Sequence, residues 1–264
     1  MTGAIAIAGM ACLRSGAGLV TLGVPACSQA VVASFDPNYM TLSLPCDSEG
    51  RLEARATVKM SQLLKQAKCV AIGPGLGRSH HSDTIVAELF ETHSGMLIVD
   101  ADGLNALSVS DIWKRMVNRE ISLHGSPNLG PRILTPHPGE WERLSGTSAS
   151  DREAQKESAE HLAVQTKCTI LLKGHETFLT NGIESYVNAT GNPSMAVGGN
   201  GDCLTGIIAA LICQGMSGME AVRLGAHVHG LAGDLAHAEL ETPSTLATDL
   251  IRFLPQAFGV LQKR

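Results

Sequence analysis

Residues 191–215 read GNPSMAVGGNGDCLTGIIAALICQG, a glycine-rich loop with one acidic residue, Asp202, followed by an apolar run typical of a buried helix. A helix N-terminus presents unpaired N–H groups and the positive end of the helix dipole, and so attracts anions such as phosphate. Gly198, Gly199 and Gly201 would let a ligand approach the backbone closely because they lack a Cβ. A carboxylate beside a phosphate is tolerable if it takes a proton from a hydroxyl group that is being phosphorylated. Taken alone, the pattern is equally compatible with phosphoryl transfer and with an ordinary helix that has an acid in its first turn, so the neighbouring motifs must decide between them.

Other chemically useful residues follow apolar runs that are typical of buried strands. The runs end in GPGLG at 73–77, DADGLNAL at 100–107, HPGE at 137–140 and KGHET at 173–177. Ligands of open parallel sheets bind beyond the carboxyl ends of the strands. We therefore expect these four motifs to meet the loop before Asp202 at one edge of a sheet.

Each of these motifs has a second interpretation when it is taken alone. Residues 73–77 lack the spacing of a dinucleotide fingerprint and could form only a tight turn. Asp100 is expected to cap a helix near residue 103, and Glu140 to be an acid in the first turn of a helix. His137, between two prolines, could contact a ligand or lie in a surface loop. Lys173 could be solvated, but its place after a buried strand favours a cation that faces phosphate.

Metal and disulfide sites have little support in the sequence. His227 and His229 are two residues apart, which directs them to different faces of a helix and favours ordinary core histidines over metal ligands. The seven cysteines include no C-x-x-C pair, and several lie in apolar runs. They are typical of reduced core residues in a cytosolic protein.

The composition indicates one α/β domain. Of the 264 residues, 44% are hydrophobic and only 3% aromatic, which favours a parallel sheet covered by helices. A net charge of −5 without a basic cluster argues against nucleic acid or anionic membranes as partners. No apolar stretch approaches the roughly 20 residues of a membrane span, and no signal-peptide pattern begins the chain. We therefore expect a soluble, cytoplasmic protein.

The hydrophobic pattern alternates between helices and strands along the chain. It predicts helices at 3–15, 26–35, 53–67, 82–94, 152–166 and through most of 201–264, strands at 19–24, 40–44, 69–73, 96–100, 133–136 and 168–174, and a hairpin at 177–187 that turns at Asn181 and Gly182. This order predicts an α/β fold, with a mostly parallel central sheet, helices on both faces and a small antiparallel edge hairpin. A single domain over 1–264 is expected.

Taken together and in order, the motifs resemble one family. They are RSGAGLVTLGVP, AIGPGLGR, IVDADGLNAL, ILTPHPGEWERL, LLKGHET, GNPSMAVGGNGDCLTGIIAAL, HGLAGDLA and LATDLIRFLP, and they cover nearly the whole chain. The sequence is similar to the ADP- or ATP-dependent NAD(P)H-hydrate dehydratases, which have a ribokinase-like fold. These enzymes repair NADH or NADPH that has added water at C6 of the nicotinamide ring.

The resemblance implies a mechanism and a set of site residues. Asp202 would deprotonate the C6 hydroxyl of the S epimer, which attacks the terminal phosphate of ADP or ATP with Mg²⁺ present, and phosphate is then eliminated. The hydrated dinucleotide would contact Ala4, Gly75, His137 and Asp202, with Asp102 and Asn105 as nearby supports. The adenine nucleotide would contact Lys173, Gly174, His175, Glu176, Thr177, Gly199, Asn200 and Gly201. No protein ligand for a metal is implied, and the family's usual assembly implies a homotetramer.

The sequence departs from the family pattern in two places. Asn200 replaces the usual Ser or Thr before the Gly-Asp pair, and its side-chain donor is expected to preserve anion binding. The match begins after the family's first strand and its glycine- and serine-containing loop, so we expect that strand, and the epimerase domain fused to some members, to be absent from 1–264.

Two other functions are compatible with the same loop and base. One is a small-molecule kinase of ribokinase-like fold, of the hydroxyethylthiazole or pyrimidine type. The other is a non-catalytic nucleotide-binding module. The motifs at 137–140 and 173–177 and the C-terminal tail favour the dehydratase over the kinase. The presence of Asp202 and Lys173 argues against the non-catalytic module.

Overall fold

The structure is a computed structural model that describes residues 1–121 and 129–262. Its helices are α1 (Thr2–Arg14), α2 (Gln29–Phe35), α3 (Ala56–Gln66), α4 (His80–Thr92), α5 (Asp102–Val109), α6 (Asp111–Val117), α7 (Pro138–Ser145), α8 (Arg152–Thr166), α9 (Asn200–Cys213), α10 (Gly218–Leu240) and α11 (Ala247–Gln262). Its strands are β1 (Thr21–Pro25), β2 (Met40–Leu44), β3 (Cys69–Ile72), β4 (Met96–Val99), β5 (Arg132–Leu134), β6 (Thr169–Leu172), β7 (Phe178–Thr180) and β8 (Ser185–Val187). Single 3₁₀ turns lie at Ala26–Ser28 and Pro193–Met195.

Six strands form the main sheet, in the order β3-β4-β5-β6-β7-β8. Strands β3 to β6 are parallel, whereas β7 and β8 are antiparallel. This confirms the predicted mostly parallel sheet with an antiparallel edge hairpin. Strands β1 and β2 are hydrogen-bonded as a separate parallel pair. The hydrophobic pattern predicted these two strands, but a pattern within one strand does not specify its neighbour.

Helices cover both faces of the main sheet, as predicted. In β4, Leu97 and Val99 pack in one core cluster with side chains from α4 to α8, whereas Ile98 packs in the other with side chains from α9 to α11. This division follows from the alternation of strand side chains between the two faces. Because both faces are buried, β4 is apolar throughout. Within the described part of the chain, no helix has the length and hydropathy needed to cross a membrane.

The edge hairpin turns one residue later than predicted: the Asn181 N–H donates to the Glu184 carbonyl oxygen at 3.3 Å, which leaves Gly182 and Ile183 between the paired residues. Strand β7 ends at Thr180 and β8 begins at Ser185. The Asn181 side-chain oxygen accepts hydrogen bonds from the N–H groups of Ile183 and Glu184, each at 2.9 Å. The Asn181 side chain thus supplies an acceptor for two N–H groups of the turn, a contact typical of asparagine in turns.

Helices α1 and α9 are in close backbone contact through Gly206. A Cβ built on Gly206 would lie 2.1 Å from the Ala8 carbonyl oxygen and 2.9 Å from the Cys12 nitrogen. Neither of these backbone atoms can rotate away. The glycine therefore sets the spacing of the two helices, and α9 in turn carries Asp202 in its first turn.

Replacing Gly206 with alanine should destabilise the protein by about 1–3 kcal/mol or more, since the helices must separate to accept the methyl group. Thermal and urea unfolding would measure the loss. The matched control is Gly259→Ala in α11, where no atom lies within 4 Å of the added Cβ. There alanine should stabilise by up to about 1 kcal/mol through its higher helix propensity. Equal effects at both positions would contradict the proposed close contact.

Candidate active site

The carboxyl ends of β4 and β6 bring a buried ion pair to the edge of the sheet. Asp100 follows β4 and is 1% exposed, and Lys173 follows β6. The Lys173 Nζ donates to Asp100 Oδ1 at 2.6 Å, and Thr205 of α9 donates its hydroxyl to Asp100 Oδ2 at 2.7 Å. Both oxygens of this carboxylate are thus held. The expectation that Asp100 caps helix α5 was wrong: the N-cap is Ala101, without a side-chain cap.

Lys173 lies among carboxylates and next to the start of α9. Its Nζ is 3.7 Å from Glu140 Oε2 in addition to the contact with Asp100. Burial disfavours the ammonium, but Asp100 and Glu140 outweigh it and raise the pKa of Lys173. A Cβ built on Gly201 would lie 3.3 Å from Nζ, so the glycine leaves room for this cation. Lys173 is therefore charged and is held in place before any ligand binds.

Asp202 occupies the first turn of α9, close to this ion pair. Burial raises its pKa to about 6, and the charges of Asp100, Glu140 and Asp102 act in the same direction while Lys173 opposes them. A carboxylate with a pKa near neutrality is a stronger base than an ordinary aspartate and is still ionised at pH 7. Among the described residues, none donates a hydrogen bond to this carboxylate. Asp202 is thus suited to accept a proton from a ligand.

The N-terminus of α9 has the geometry expected of an anion site. Gly199 is the N-cap with φ +96°, a left-handed conformation that glycine adopts easily, and it contributes no side-chain cap. The N–H groups of Gly201 and Asp202 have no partner among the described residues. These N–H groups and the helix dipole can therefore bind negative charge.

Asn200 is tied to the protein rather than directed at a ligand. Its side-chain amide donates to the carbonyl oxygens of Met195 at 2.8 Å and Thr245 at 3.0 Å, and the residue is 4% exposed. The expectation that this side chain keeps a free donor for an anion was wrong, because two buried carbonyl groups use both of its hydrogens. Its contribution to the site is to fix the glycine loop against the chain before α11.

His229 fixes the same turn from α10. Its Nε2 lies 2.9 Å from the Asn200 carbonyl oxygen. Burial lowers the pKa of His229 to about 4, so the neutral ring donates this hydrogen bond. His227 lies on another side of α10, where it lines a surface groove together with Tyr186. The interpretation of the two histidines as structural residues fits this arrangement.

Ala4 and Gly75 come together where α1 meets the loop after β3. Gly75 has φ +65°, and a Cβ built on it would lie 2.2 Å from the Met1 carbonyl oxygen and 3.1 Å from the Ala4 Cβ. Only glycine fits there. Asp102 supports the same loop by accepting a hydrogen bond from the Gly77 N–H at 2.9 Å.

His137 is the N-cap of α7. Its Nδ1 accepts hydrogen bonds from the N–H groups of Gly139 and Glu140, at 3.1 and 3.3 Å. Glu140 Oε2 accepts from the His137 N–H in return, which confirms Glu140 as a first-turn acid. The His137 side chain is still 51% exposed. Its ring can therefore cap the helix and contact a ligand on its open face.

Asn105 lies on α5 and its side-chain oxygen accepts from Arg143 Nη1 at 3.0 Å. This contact joins α5 to α7. Asn105 thus lies on the helix that begins at Asp102, and its side-chain oxygen is already used as an acceptor. This position supports an indirect role, in which Asn105 shapes the site by joining α5 to α7.

Residues 173–177 form a turn in which the Lys173 side chain is largely buried and the next three residues are exposed. Gly174, His175 and Glu176 are exposed, and Gly174 and Glu176 have φ of +136° and +51°. Thr177 donates its hydroxyl to the Gly174 carbonyl oxygen at 3.0 Å. A nucleotide could thus lie on the exposed turn while Lys173 reaches its phosphates.

Three further residues hold the site together and were missed by sequence reasoning. Thr205 bonds Asp100, Arg152 donates to the Leu172 carbonyl oxygen at 3.0 Å, and Asp234 accepts from Gly191 N–H and the Asn192 side chain at 2.9 and 2.8 Å. Asp234 lies in the quoted motif HGLAGDLA, so its position was available as a signal. Thr205 likewise lies in the motif GNPSMAVGGNGDCLTGIIAAL, whereas Arg152 carries no such signal because it begins an ordinary helix.

The donors present fit Mg²⁺ bound mainly through a ligand. Carboxylate oxygens are the hard donors that this ion prefers. Lys173 and Thr205 hold the Asp100 carboxylate, and His137 and Lys173 contact Glu140, so neither is free for a metal. Within residues 1–121 and 129–262, no three His, Cys, Asp or Glu side chains converge on a common metal position. Mg²⁺ often binds through one or two carboxylates together with substrate phosphates.

Comparisons with known proteins agree with this geometry. The family model described as NAD(P)H-hydrate dehydratase matches residues 1–256. The bifunctional NAD(P)H-hydrate repair enzyme Nnr of Moorella thermoacetica is 40% identical over 266 residues, covering 100% of this chain and 48% of the relative. The chain therefore spans about half the length of the curated relatives it matches.

Solved structures show the same fold. The ADP/ATP-dependent NAD(P)H-hydrate dehydratase of Bacillus subtilis, co-crystallised with ATP/Mg²⁺, is 26% identical with a TM-score of 0.76, over 98% of this chain and 85% of that one. A ribokinase-like superfamily protein from Enterococcus faecalis is 28% identical with a TM-score of 0.76, over 96% and 81%. The fold is thus ribokinase-like, and the chain belongs to the NAD(P)H-hydrate dehydratase family.

Proposed function

We propose that this protein dehydrates the S epimer of hydrated NADH or NADPH, using ADP or ATP to phosphorylate the C6 hydroxyl. The observation that carries the proposal is the position of Asp202, a base with its pKa raised to about 6, beside Lys173 and the N-terminus of α9. A base next to an anion site is what phosphorylation of an alcohol requires. Membership in the family supports this substrate over other alcohols.

In the proposed reaction Asp202 removes the proton of the C6 hydroxyl as its oxygen attacks the terminal phosphorus of the nucleotide. The N–H groups of Gly201 and Asp202, together with Lys173, stabilise the negative charge on the transferred phosphoryl group. Phosphate then leaves from C6, and loss of a proton from the ring restores the conjugated dihydropyridine. Mg²⁺ would be held mainly by the nucleotide phosphates and would neutralise phosphate charge.

The two ligands would occupy neighbouring parts of the site. We assign the hydrated dinucleotide to Ala4, Gly75 and His137, with Asp102 and Asn105 as supports. The adenine nucleotide is assigned to the turn of residues 173–177 and to residues 199–201. The enzyme would work in the cytoplasm as a homotetramer, and light scattering after size-exclusion chromatography tests the assembly.

The direct test is recovery of the absorbance of the reduced nicotinamide ring from hydrated NADH, with ADP or ATP and Mg²⁺. Recovery that requires nucleotide supports the proposal. Nucleotide binding without recovery would point to a non-catalytic module. Phosphorylation of hydroxyethylthiazole or a pyrimidine alcohol, with no recovery from hydrated NADH, would point to the kinase instead.

A further inference from the structure

Cys27 and Cys46 form a pair of neighbouring thiols that is not among the residues assigned to the candidate active site. Their Sγ atoms are 3.7 Å apart, although the residues are separated by 19 positions in the chain. Cys27 is exposed and Cys46 half-buried, whereas Cys12, Cys168 and Cys203 are buried. The pair joins the 3₁₀ turn after β1 to the segment after β2.

The turn that carries Cys46 is held by its own hydrogen bonds. Asp47 Oδ1 accepts from the N–H groups of Glu49 and Arg51, both at 2.9 Å, and Cys46 pairs with Leu52 in an isolated bridge. Gly50, with φ +75°, approaches closely enough that a Cβ on it would lie 3.0 Å from Cys27 Sγ. The second thiol is therefore held beside the first rather than meeting it by chance.

We propose that Cys27 and Cys46 are a site of reversible thiol–disulfide exchange with low-molecular-weight disulfides. A disulfide has an S–S length of about 2.05 Å, so the sulfur atoms must approach by roughly 1.7 Å, which rotation of the exposed Cys27 side chain can provide. The remaining cysteines lack this combination of an exposed thiol and a thiol neighbour within 4 Å among the described residues.

The exchange takes place in two balanced steps. The Cys27 thiolate attacks one sulfur of the small disulfide, forms a mixed disulfide and releases one thiolate. The Cys46 thiolate then attacks Cys27 Sγ and releases the second thiolate. Two protein thiols are oxidised to one disulfide, and the small disulfide is reduced to two thiols, which take up the two protons that the protein thiols lose.

The test exposes the folded protein to oxidised glutathione and then maps the modified cysteines by mass spectrometry. Wild type should lose two hydrogens in one internal Cys27–Cys46 disulfide that dithiothreitol reverses. Cys46→Ser should instead keep a stable glutathione adduct on Cys27, and Cys27→Ser should remain unmodified under the same exposure. The oxidised wild type should melt about 5 °C higher, since the cross-link restricts the unfolded chain.

Three outcomes would overturn the proposal. They are a lasting glutathione adduct on Cys27 in the wild type, earlier modification of the half-buried Cys69 or Cys213, and no reaction at all. Circular dichroism of both serine variants checks that they are folded. The result does not depend on dehydratase activity, so it is independent of the proposed function.

Discussion

Asp202→Asn is expected to lower the rate of nucleotide-dependent dehydration by about 10³-fold and yet to stabilise the folded protein. The rate falls because asparagine cannot accept the proton of the attacking hydroxyl, and general-base catalysis contributes about 10²–10⁴-fold. Stability rises because burial, with nearby carboxylates, raises the pKa of Asp202 from 3.8 to about 6, so the folded protein holds an unfavourable negative charge at neutral pH.

The gain in stability should depend on pH in a defined direction. Below about pH 4 Asp202 is protonated in both states and contributes no penalty. The penalty grows between pH 4 and 6, as the unfolded carboxyl ionises before the folded one, and is complete above pH 6. A shift of this size corresponds to about 1–3 kcal/mol. Urea unfolding of both proteins at pH 4 and pH 7 would measure it, and wild-type kcat/KM should rise with pH through about 6.

Asp111→Asn is the matched control, because Asp111 is also a first-turn acid but is exposed at the start of α6. It should leave dehydration unchanged and should not stabilise the protein. An Asp202→Asn variant that keeps more than about a tenth of the wild-type rate would exclude Asp202 as the base.

Lys173→Met should destabilise the protein by about 3–5 kcal/mol and abolish dehydration at pH 7. The loss of stability arises because Asp100, 1% exposed, would remain buried without its cation, and Glu140 would lose its charged neighbour. The loss of activity has two causes. The transferred phosphoryl group loses a nearby positive charge, and the pKa of Asp202 rises further because Lys173 normally lowers it.

A double variant separates these effects. Lys173→Met with Asp100→Asn removes the uncompensated charge, while Thr205 can still donate to the amide oxygen. It should recover much of the lost stability and none of the activity. Lys156→Met is the control, since its partner Glu153 is 78% exposed and such surface pairs contribute about 0–1 kcal/mol. If Lys173→Met unfolds at the same urea concentration as wild type, the buried pair does not have the role assigned to it.

The order of helices and strands was largely predictable because each element carries its own hydrophobic pattern. Helix α8 was predicted over the residues it occupies, since Asp151 caps it and its apolar positions recur with helical spacing. The buried strands β3 to β6 were each found within one or two residues. The exact position of a turn was less predictable, because a side-chain oxygen can replace a backbone oxygen as the hydrogen-bond acceptor there. At Asn181 the side-chain oxygen accepts from two N–H groups of the turn, and the loop lies one residue later than the dipeptide pattern predicted.

The sequence by itself determined the alternating fold, the family and the position of Asp202 at a helix N-terminus, because these depend on local patterns and on motifs in chain order. Only the tertiary structure decided which charged groups of the site pair with one another and how their pKa values shift. Lys173 meets Asp100 across 73 positions and Thr205 reaches the same carboxylate across 105, so neither pairing is visible in a local pattern. The raised pKa of Asp202 and the occupied amide of Asn200 have the same origin. Burial and long-range hydrogen bonds arise only when distant segments pack together, and they set the energies of these polar groups.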